Sequence, residues 1–254
     1  MKTKLTVGSL TDTGLMRMIN EDSIFCKKGD GIHIFCVADG MGGHAHGEKA
    51  SGEIIEAIKK WEMSFYPEKY DCDFIKILDG FGNCLQDVNG KIYRQYNAEE
   101  VCGSTVVALL IYEGFYAVFS LGDSRIYRMR RFRFEQITTD DTWQNSAGVF
   151  GCMDDVTMRL DSRYDKLVKA VGIRENVVFH RMTDRLRRGD TFLLCSDGIY
   201  KTCDLRVLRR ICAGMAFGYG RAEEKMKEIK ICAYQKNAPD NLSAILVHVN
   251  DIKK

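Results

Sequence analysis

Proline is scarce in this sequence, with two residues in 254, and no stretch rich in proline, glycine or serine interrupts it. We therefore expect no low-complexity linker or tail. Long apolar runs are also missing: the longest, residues 106–112, suits a buried strand and is far too short to cross a membrane. The first residues contain too few apolar side chains for a signal peptide. The sequence therefore predicts a protein with no membrane-bound part.

The ten cysteines include no Cys-x-x-Cys pair, which excludes the usual zinc-ribbon and thioredoxin-like sites. Without an export signal, they are most simply reduced thiols at core positions, and we expect a cytoplasmic protein. The formal net charge is only +2, so no general attraction to nucleic acid or to anionic membranes is predicted.

At 254 residues the chain can form one large domain or two small ones, and apolar periodicity predicts antiparallel sheets covered by helices. Residues 48–65 and 73–96 have helical spacing, whereas residues 104–137 read as an antiparallel meander that turns at 122–125. A hairpin is predicted around residues 29–31, a short helix near 166–171 and a strand at 176–182. Strands come as hairpins and helices as pairs, which disfavours a doubly wound parallel sheet.

Two core strands end on an Asp-Gly pair. Residues 32–38 lead into Asp39-Gly40, and residues 191–196 lead into Asp197-Gly198. An ionised carboxylate at the end of a buried strand must be paired or bound to a cation. Two such acids, far apart in sequence, therefore suggest one shared metal site.

Further acids occupy the same kind of position, at a strand end or turn beside small residues. The full set is Glu21, Asp22, Asp39, Asp123, Asp197 and Asp240. Six carboxylates cannot crowd together in ionised form unless cations neutralise them, and oxygen ligands favour Mg²⁺ or Mn²⁺. Two such ions about 3.5–4 Å apart can activate a water for in-line attack on phosphorus. Arg17 could supply a two-pronged contact to phosphate.

The order of these motifs resembles the metal-dependent protein phosphatases, the PPM or type 2C family of serine/threonine phosphatases, in its compact bacterial branch. The matching pieces are Arg17-x-x-Asn20-Glu21-Asp22, Val37-Ala-Asp39-Gly40-Met-Gly-Gly-His44, Gly103-Ser-Thr, Gly122-Asp123-Ser-Arg125, Ser196-Asp197-Gly198 and Asp240-Asn241-Leu-Ser243. Each piece is weak alone, but six in order are specific. They span most of the chain, from about residue 11 to residue 249.

The resemblance implies a single catalytic domain spanning residues 1–254 with an α+β fold. That fold is a four-layer α-β-β-α sandwich of two antiparallel sheets flanked by helices, with the metals at one end. It implies two bridged Mn²⁺ or Mg²⁺ ions and a third, looser ion. The implied roles are Asp39 as the bridging ligand, the Gly40 carbonyl as a ligand of one ion, Asp197 and Asp240 as ligands of the other, Glu21 and Asp22 as direct or water-mediated ligands, Asp123 with Asp197 at the third ion, Arg17 as the phosphate clamp, and residues 140–166 as a flap beside the site.

One departure concerns the proton donor for the leaving serine oxygen. In the animal branch of the family a histidine follows the Asp-Gly pair, but this sequence has Met41 there. A metal-bound water is the favoured donor, and His44 is the competing hypothesis. The implied partners are phosphorylated proteins and a serine/threonine kinase, and the expected state is a monomer.

Other functions remain to be separated from this one. A catalytically inactive family member would act as a phosphoprotein-binding regulatory module, and a two-metal hydrolase could act on small phosphoesters. The spacing Gly40-x-Gly42-x-x-Ala45 meets the nominal dinucleotide fingerprint, but Glu62, at the acidic position, falls inside a helical pattern rather than at the end of a second strand. Metal dependence would separate the enzyme from the binding module.

Overall fold

A computed structural model of the chain describes residues 2–29, 31–42, 47–96, 102–149, 155–216 and 221–253. The strands are β1 Lys2–Asp12, β2 Asp22–Lys28, β3 His33–Gly42, β4 Cys102–Ser104, β5 Val106–Tyr112, β6 Phe115–Leu121, β7 Arg125–Arg130, β8 Arg133–Gln136, β9 His180–Arg185, β10 Thr191–Cys195 and β11 Leu242–Lys253. The helices are α1 Gly47–Met63, α2 Phe74–Tyr96, α3 Trp143–Val149, α4 Asp155–Leu160, α5 Asp197–Tyr200, α6 Leu205–Ala216 and α7 Ala222–Tyr234, with a 3₁₀ turn at Pro67–Tyr70.

The strands form two antiparallel sheets. The five-stranded sheet has the order β1-β11-β10-β7-β8, and the other has the order β2-β3-β5-β6-β9 with β4 paired to the end of β3. The long β1–β11 pairing joins the two ends of the described chain, from Lys2 opposite Lys253 to Asp12 opposite Leu242. The predicted pair of antiparallel sheets is confirmed. Among the described strand pairs none is parallel, which excludes the dinucleotide-binding alternative.

Strand β3 shows why the molecule has layers. Its residues alternate between two apolar environments: Phe35 and Val37 face the second sheet, whereas Ile34 and Cys36 face the helices. A strand buried on both faces needs apolar side chains on both, which explains the nearly continuous apolar run in the sequence. The apolar core between the two sheets also contains residues of the five-stranded sheet, such as Phe192 and Ile245.

Helices cover the outer face of each sheet. Helices α1 and α2 pack on the sheet that contains β3, and the Trp61 ring lies edge-on against Phe81 at 5.2 Å between centroids. Helices α6 and α7 cover the other sheet through residues such as Leu208 and Ile229. The predicted four-layer α-β-β-α sandwich is therefore present. None of the described helices is both long enough and apolar enough to cross a bilayer.

Three local predictions were wrong. The meander is broken at Gly122, because β6 and β7 belong to different sheets; Gly122 has φ of +106°, and a Cβ there would overlap the Thr105 side chain. Residues 166–171 are not helical, since Val168 and Val171 donate backbone hydrogen bonds to Asp141 and Ser104 instead. The strand predicted at 176–182 begins four residues later, at His180.

Candidate metal centre

Strand ends from both sheets meet at one end of the sandwich. Asp22 begins β2 and lies opposite Asp39 of β3 in register, whereas Asp197 follows β10 and Asp240 precedes β11 in the other sheet. Burial raises the pKa of Asp39 well above its usual range, and the charges of neighbouring acids add to this rise. Those neighbours are Asp22, Asp197, Asp123 and Asp240. The structure therefore brings together the five aspartates that the sequence singled out.

Asp22 is buried, with 7% of its surface exposed. Its Oδ2 accepts a hydrogen bond from the Ser196 hydroxyl at 2.8 Å, but its Oδ1 is buried without a partner. Burial raises the pKa of Asp22 to about 6, although the Ser196 and Ser243 hydroxyls counteract it. An unpaired buried carboxylate oxygen is costly, and a bound cation would satisfy it.

Gly40 and Glu21 form a tight junction where β3 meets the start of α1. The Gly40 amide donates to the Glu21 carbonyl at 3.1 Å, and a Cβ on Gly40 would overlap the Gly47 carbonyl. The Glu21 carboxylate accepts a hydrogen bond from the Gly47 amide, at the first residue of α1. Burial raises the pKa of Glu21, and the Arg17 charge opposes that rise. In this arrangement Glu21 holds a helix terminus, a favourable place for a carboxylate.

Arg17 lies at the site on the loop that follows β1. Its Nε is 2.9 Å from Asp240 Oδ1 and its Nη2 is 3.0 Å from Asp240 Oδ2, which is a bidentate ion pair. The side chain is half exposed. The residue predicted to clamp phosphate is thus paired with a residue predicted to bind metal. The same loop exposes four apolar side chains, those of Leu15, Met16, Met18 and Ile19.

Asp123 reaches the site from the crossing between β6 and β7. It is 7% exposed, and burial raises its pKa to about 6, with a further contribution from the Asp197 charge. The Lys201 ammonium lies 2.6 Å from Asp197 Oδ2 and 3.9 Å from Asp123 Oδ2. Burial opposes the Lys201 charge, but the Asp197 carboxylate more than compensates and raises the pKa of Lys201.

The acids of this centre are candidate ligands for divalent cations. In the described part of the chain, no three acidic, histidine or cysteine side chains are already arranged around one position suited to a metal ion. Two of the aspartates are instead turned to protein cations, Arg17 and Lys201. However, Asp22 has an unpartnered buried oxygen and Asp39 has a raised pKa, and both indicate a site short of positive charge. Oxygen-only donors of this kind suit Mg²⁺ or Mn²⁺.

Comparison with known proteins decides the family. The sequence profile described as "Protein phosphatase 2C" matches residues 17–231, which is most of the chain. This chain belongs to the protein phosphatase 2C family. The predicted family is therefore confirmed.

Individual relatives of the family agree with this assignment. The serine/threonine protein phosphatase PstP of Mycobacterium tuberculosis is 29% identical over 97% of this chain. The serine/threonine phosphatase stp of Listeria monocytogenes is 29% identical over 74% of this chain and 75% of its own length. This chain spans only 45% of the length of PstP, and so corresponds to part of that relative.

Solved structures of the family share the fold. The crystal structure of M. tuberculosis PstP superposes with a TM-score of 0.82 at 26% identity, over 97% of this chain and 99% of that one. The PstP catalytic domain in complex with two manganese ions gives a TM-score of 0.79 at 26% identity, with the same coverage.

Sequence reasoning missed several residues that build this centre. Asn241 was recognised only as part of a motif, yet its amide donates to the Thr13 and Ile19 carbonyls at 2.9 Å and its Oδ1 accepts the Glu21 amide at 3.0 Å. Lys201 was not considered, although its spacing of four residues after Asp197 would bring the two side chains together on a helical turn.

The predicted proton donor for the leaving oxygen is not Met41. Met41 lies in β3 opposite Gly103, where its side chain offers no exchangeable proton. His44 lies outside the described residues.

Proposed function

We propose that this chain is a metal-dependent protein serine/threonine phosphatase. The observation that carries the proposal is the convergence of buried aspartates from both sheets, with an Asp22 oxygen unpartnered and the pKa of Asp39 raised. Membership of the protein phosphatase 2C family, together with relatives described as serine/threonine phosphatases, supports the choice of substrate class.

Two Mn²⁺ or Mg²⁺ ions are proposed at this centre. Asp39 would bridge them, with the Gly40 carbonyl on one ion, Asp197 and Asp240 on the other, and Glu21 and Asp22 contributing directly or through water. When bound, such a pair lowers the pKa of a bridging water and orients it for in-line attack on phosphorus. The PstP catalytic domain solved with two manganese ions supports this number. The third ion, at Asp123, stays a prediction that no comparison tests.

Arg17 is proposed as the group that binds the substrate phosphate. Its guanidinium has the planar fork that matches phosphate oxygens. Both prongs are engaged by Asp240 in this structure, so Arg17 can hold phosphate only when that ion pair opens. We therefore expect Asp240 to bind either Arg17 or a metal ion, but not both. When Asp240 ligates a metal ion, Arg17 is free to bind the substrate phosphate.

Residues 140–166 are proposed as the flap that contacts the substrate protein, within one catalytic domain. The base of this segment is joined to the centre, because Asp141 accepts a hydrogen bond from the Gly122 amide at 3.1 Å beside Asp123. Phosphorylated proteins and the kinase that produces them are the proposed partners, with the chain acting as a monomer. A cytoplasmic location agrees with the nine described cysteines, all of which are free thiols.

The test is hydrolysis of phosphoserine and phosphothreonine peptides by the purified chain, with Mn²⁺ and with a chelator. We expect release of phosphate only with metal, and its loss in Asp39→Asn. Asp79→Asn is the matched control, since Asp79 also precedes a glycine but lies on α2 in an ion pair with Arg181. Peptide binding without hydrolysis would instead identify a regulatory module, and a preference for free nucleotides would identify a small-phosphoester hydrolase.

A further inference from the structure

A lysine lies where the family resemblance places a third metal ion. The Lys201 ammonium donates a hydrogen bond to Asp197 Oδ2 at 2.6 Å and is 3.9 Å from Asp123 Oδ2. These two carboxylates are the ones predicted to hold that ion. A third divalent cation between them would have to displace the ammonium or lie beside it, and like charges at such distances repel.

The local fold directs Lys201 to this position. Asp197 is the first residue of α5, and Lys201 follows the helix four residues later, with its amide donating to the Asp197 carbonyl at 2.9 Å. Residues four apart on a helical turn lie on the same face. The following residue closes the turn, because the Thr202 hydroxyl donates to the Gly198 carbonyl at 2.5 Å.

Asp123 also has protein donors of its own. The Tyr200 hydroxyl donates to Asp123 Oδ2 at 3.4 Å, so the tyrosine and the lysine approach the same oxygen. Tyr200 is itself covered by the Arg125 guanidinium, 3.5 Å from the ring centroid, and Arg125 is fixed by a bidentate pair with Asp140. Protein donors thus supply to Asp123 the contacts that the resemblance assigns to a cation.

We propose that the Lys201 ammonium serves this chain in place of a third divalent cation, and that the centre binds two metal ions. The lysine neutralises Asp197 and Asp123 as a tethered charge that cannot diffuse away. This inference rests on the proposed function, because it takes the two-ion site as given and concerns only the third position.

The test counts bound Mn²⁺ by titrating the purified chain and measuring free Mn²⁺ by electron paramagnetic resonance up to millimolar concentration. We expect two ions per chain for the unmodified protein and for Asp123→Asn. Lys201→Met removes the charge but keeps the apolar stem, and it should gain one weakly held ion. Lys201→Arg keeps the charge and is the matched control, which should stay at two.

The outcomes distinguish this inference from the proposed function. Three ions in the unmodified protein, falling to two in Asp123→Asn, would overturn the role of Lys201 and leave the phosphatase proposal intact. A count that stays at two in a folded Lys201→Met would also overturn it. No bound Mn²⁺ in the unmodified protein would overturn the two-ion centre and this inference together. If Lys201→Met fails to fold by circular dichroism, the comparison with Asp123→Asn still decides.

Discussion

Replacing Asn241 with alanine should detach the Arg17 loop from the sandwich. Asn241 is 5% exposed and joins three backbone groups of that loop: the Thr13 carbonyl, the Ile19 carbonyl and the Glu21 amide. Alanine leaves all three groups without their side-chain partner. The loop ends at Glu21, so the loss acts directly on the candidate metal centre.

The magnitude follows from the hydrogen bonds. Each contributes about 1 kcal/mol net, and some of the freed groups will find water, so we expect a loss of roughly 2–4 kcal/mol in unfolding free energy. For a chain of this size, 1 kcal/mol corresponds to about 2–4 °C in melting temperature. The variant should therefore melt roughly 4–16 °C lower. It should also lose phosphatase efficiency, because the loop no longer positions Arg17 and Glu21 at the centre.

The matched control is Asn250→Ala on the same strand, β11. Asn250 accepts one side-chain hydrogen bond, from the Thr6 hydroxyl at 2.9 Å, so its loss should cost about 1 kcal/mol. Calorimetry measures the stability of each variant, and amide hydrogen exchange shows which residues lose protection. Exchange should accelerate across residues 13–21 only in the Asn241 variant. Equal melting temperatures for the two variants, with unchanged exchange in this loop, would refute the reasoning.

Three further predictions concern charge and pH. Asp39→Asn should lower phosphopeptide hydrolysis by about 100-fold or more, since it weakens the central carboxylate that balances the charge of the bound ions. Asp22→Asn should raise the melting temperature of the metal-free protein, because a pKa of about 6 corresponds to up to about 3 kcal/mol of unfavourable burial, and should reduce the stabilisation by Mn²⁺. Burial lowers the pKa of His248 below 6.5, so the unfolded chain takes up this proton first, and the contribution of His248 to stability should fall as pH drops below about 6.5, opposite in sign to the gain from protonating Asp22 and Asp123. The difference between the unmodified chain and His248→Gln in urea titrations across pH would isolate this loss, with a slope of at most about 1.4 kcal/mol per pH unit.

Each of these has a clear contrary result. Near-normal hydrolysis by Asp39→Asn would contradict its bridging role. A less stable metal-free Asp22→Asn would mean that its hydrogen bond from the Ser196 hydroxyl outweighs the buried charge. His248→Gln keeps a polar side chain beside Thr191 and should remove this loss, so the stability curves of the two proteins should diverge below about pH 6.5; parallel curves would contradict the role of His248.

Local periodicity was enough to predict the elements that are buried on regular faces. The β2–β3 hairpin, helices α1 and α2, and the strand before Asp197 all follow from apolar spacing. The crossing at Gly122 was missed, because a glycine followed by a strand looks the same whether the next strand joins the same sheet or the other one. The non-helical conformation of 166–171 was missed since it depends on hydrogen bonds to Asp141 and Ser104, which no local pattern reveals.

The candidate centre shows the same division. Asp39 and Asp197 stood out because an acid that ends a core strand conflicts with packing. Lys201 and Asn241 did not stand out, because each is an ordinary polar residue whose importance depends on what the fold places opposite it. The ion pair between Arg17 and Asp240 joins residues 223 positions apart and was equally invisible in the sequence.

The apolar loop beside Arg17 bears on how a phosphatase of this kind would tolerate varied targets. Leu15, Met16, Met18 and Ile19 are 49–96% exposed, and they flank in sequence the arginine proposed to hold the phosphate. Methionine side chains are flexible and polarizable, so they adapt to neighbours of different shape. Residues next to a phosphoserine would contact flexible apolar side chains rather than fixed hydrogen-bonding partners. Contacts of this kind favour the acceptance of many different substrate sequences. Selection among target proteins would then depend on contacts farther from the phosphate.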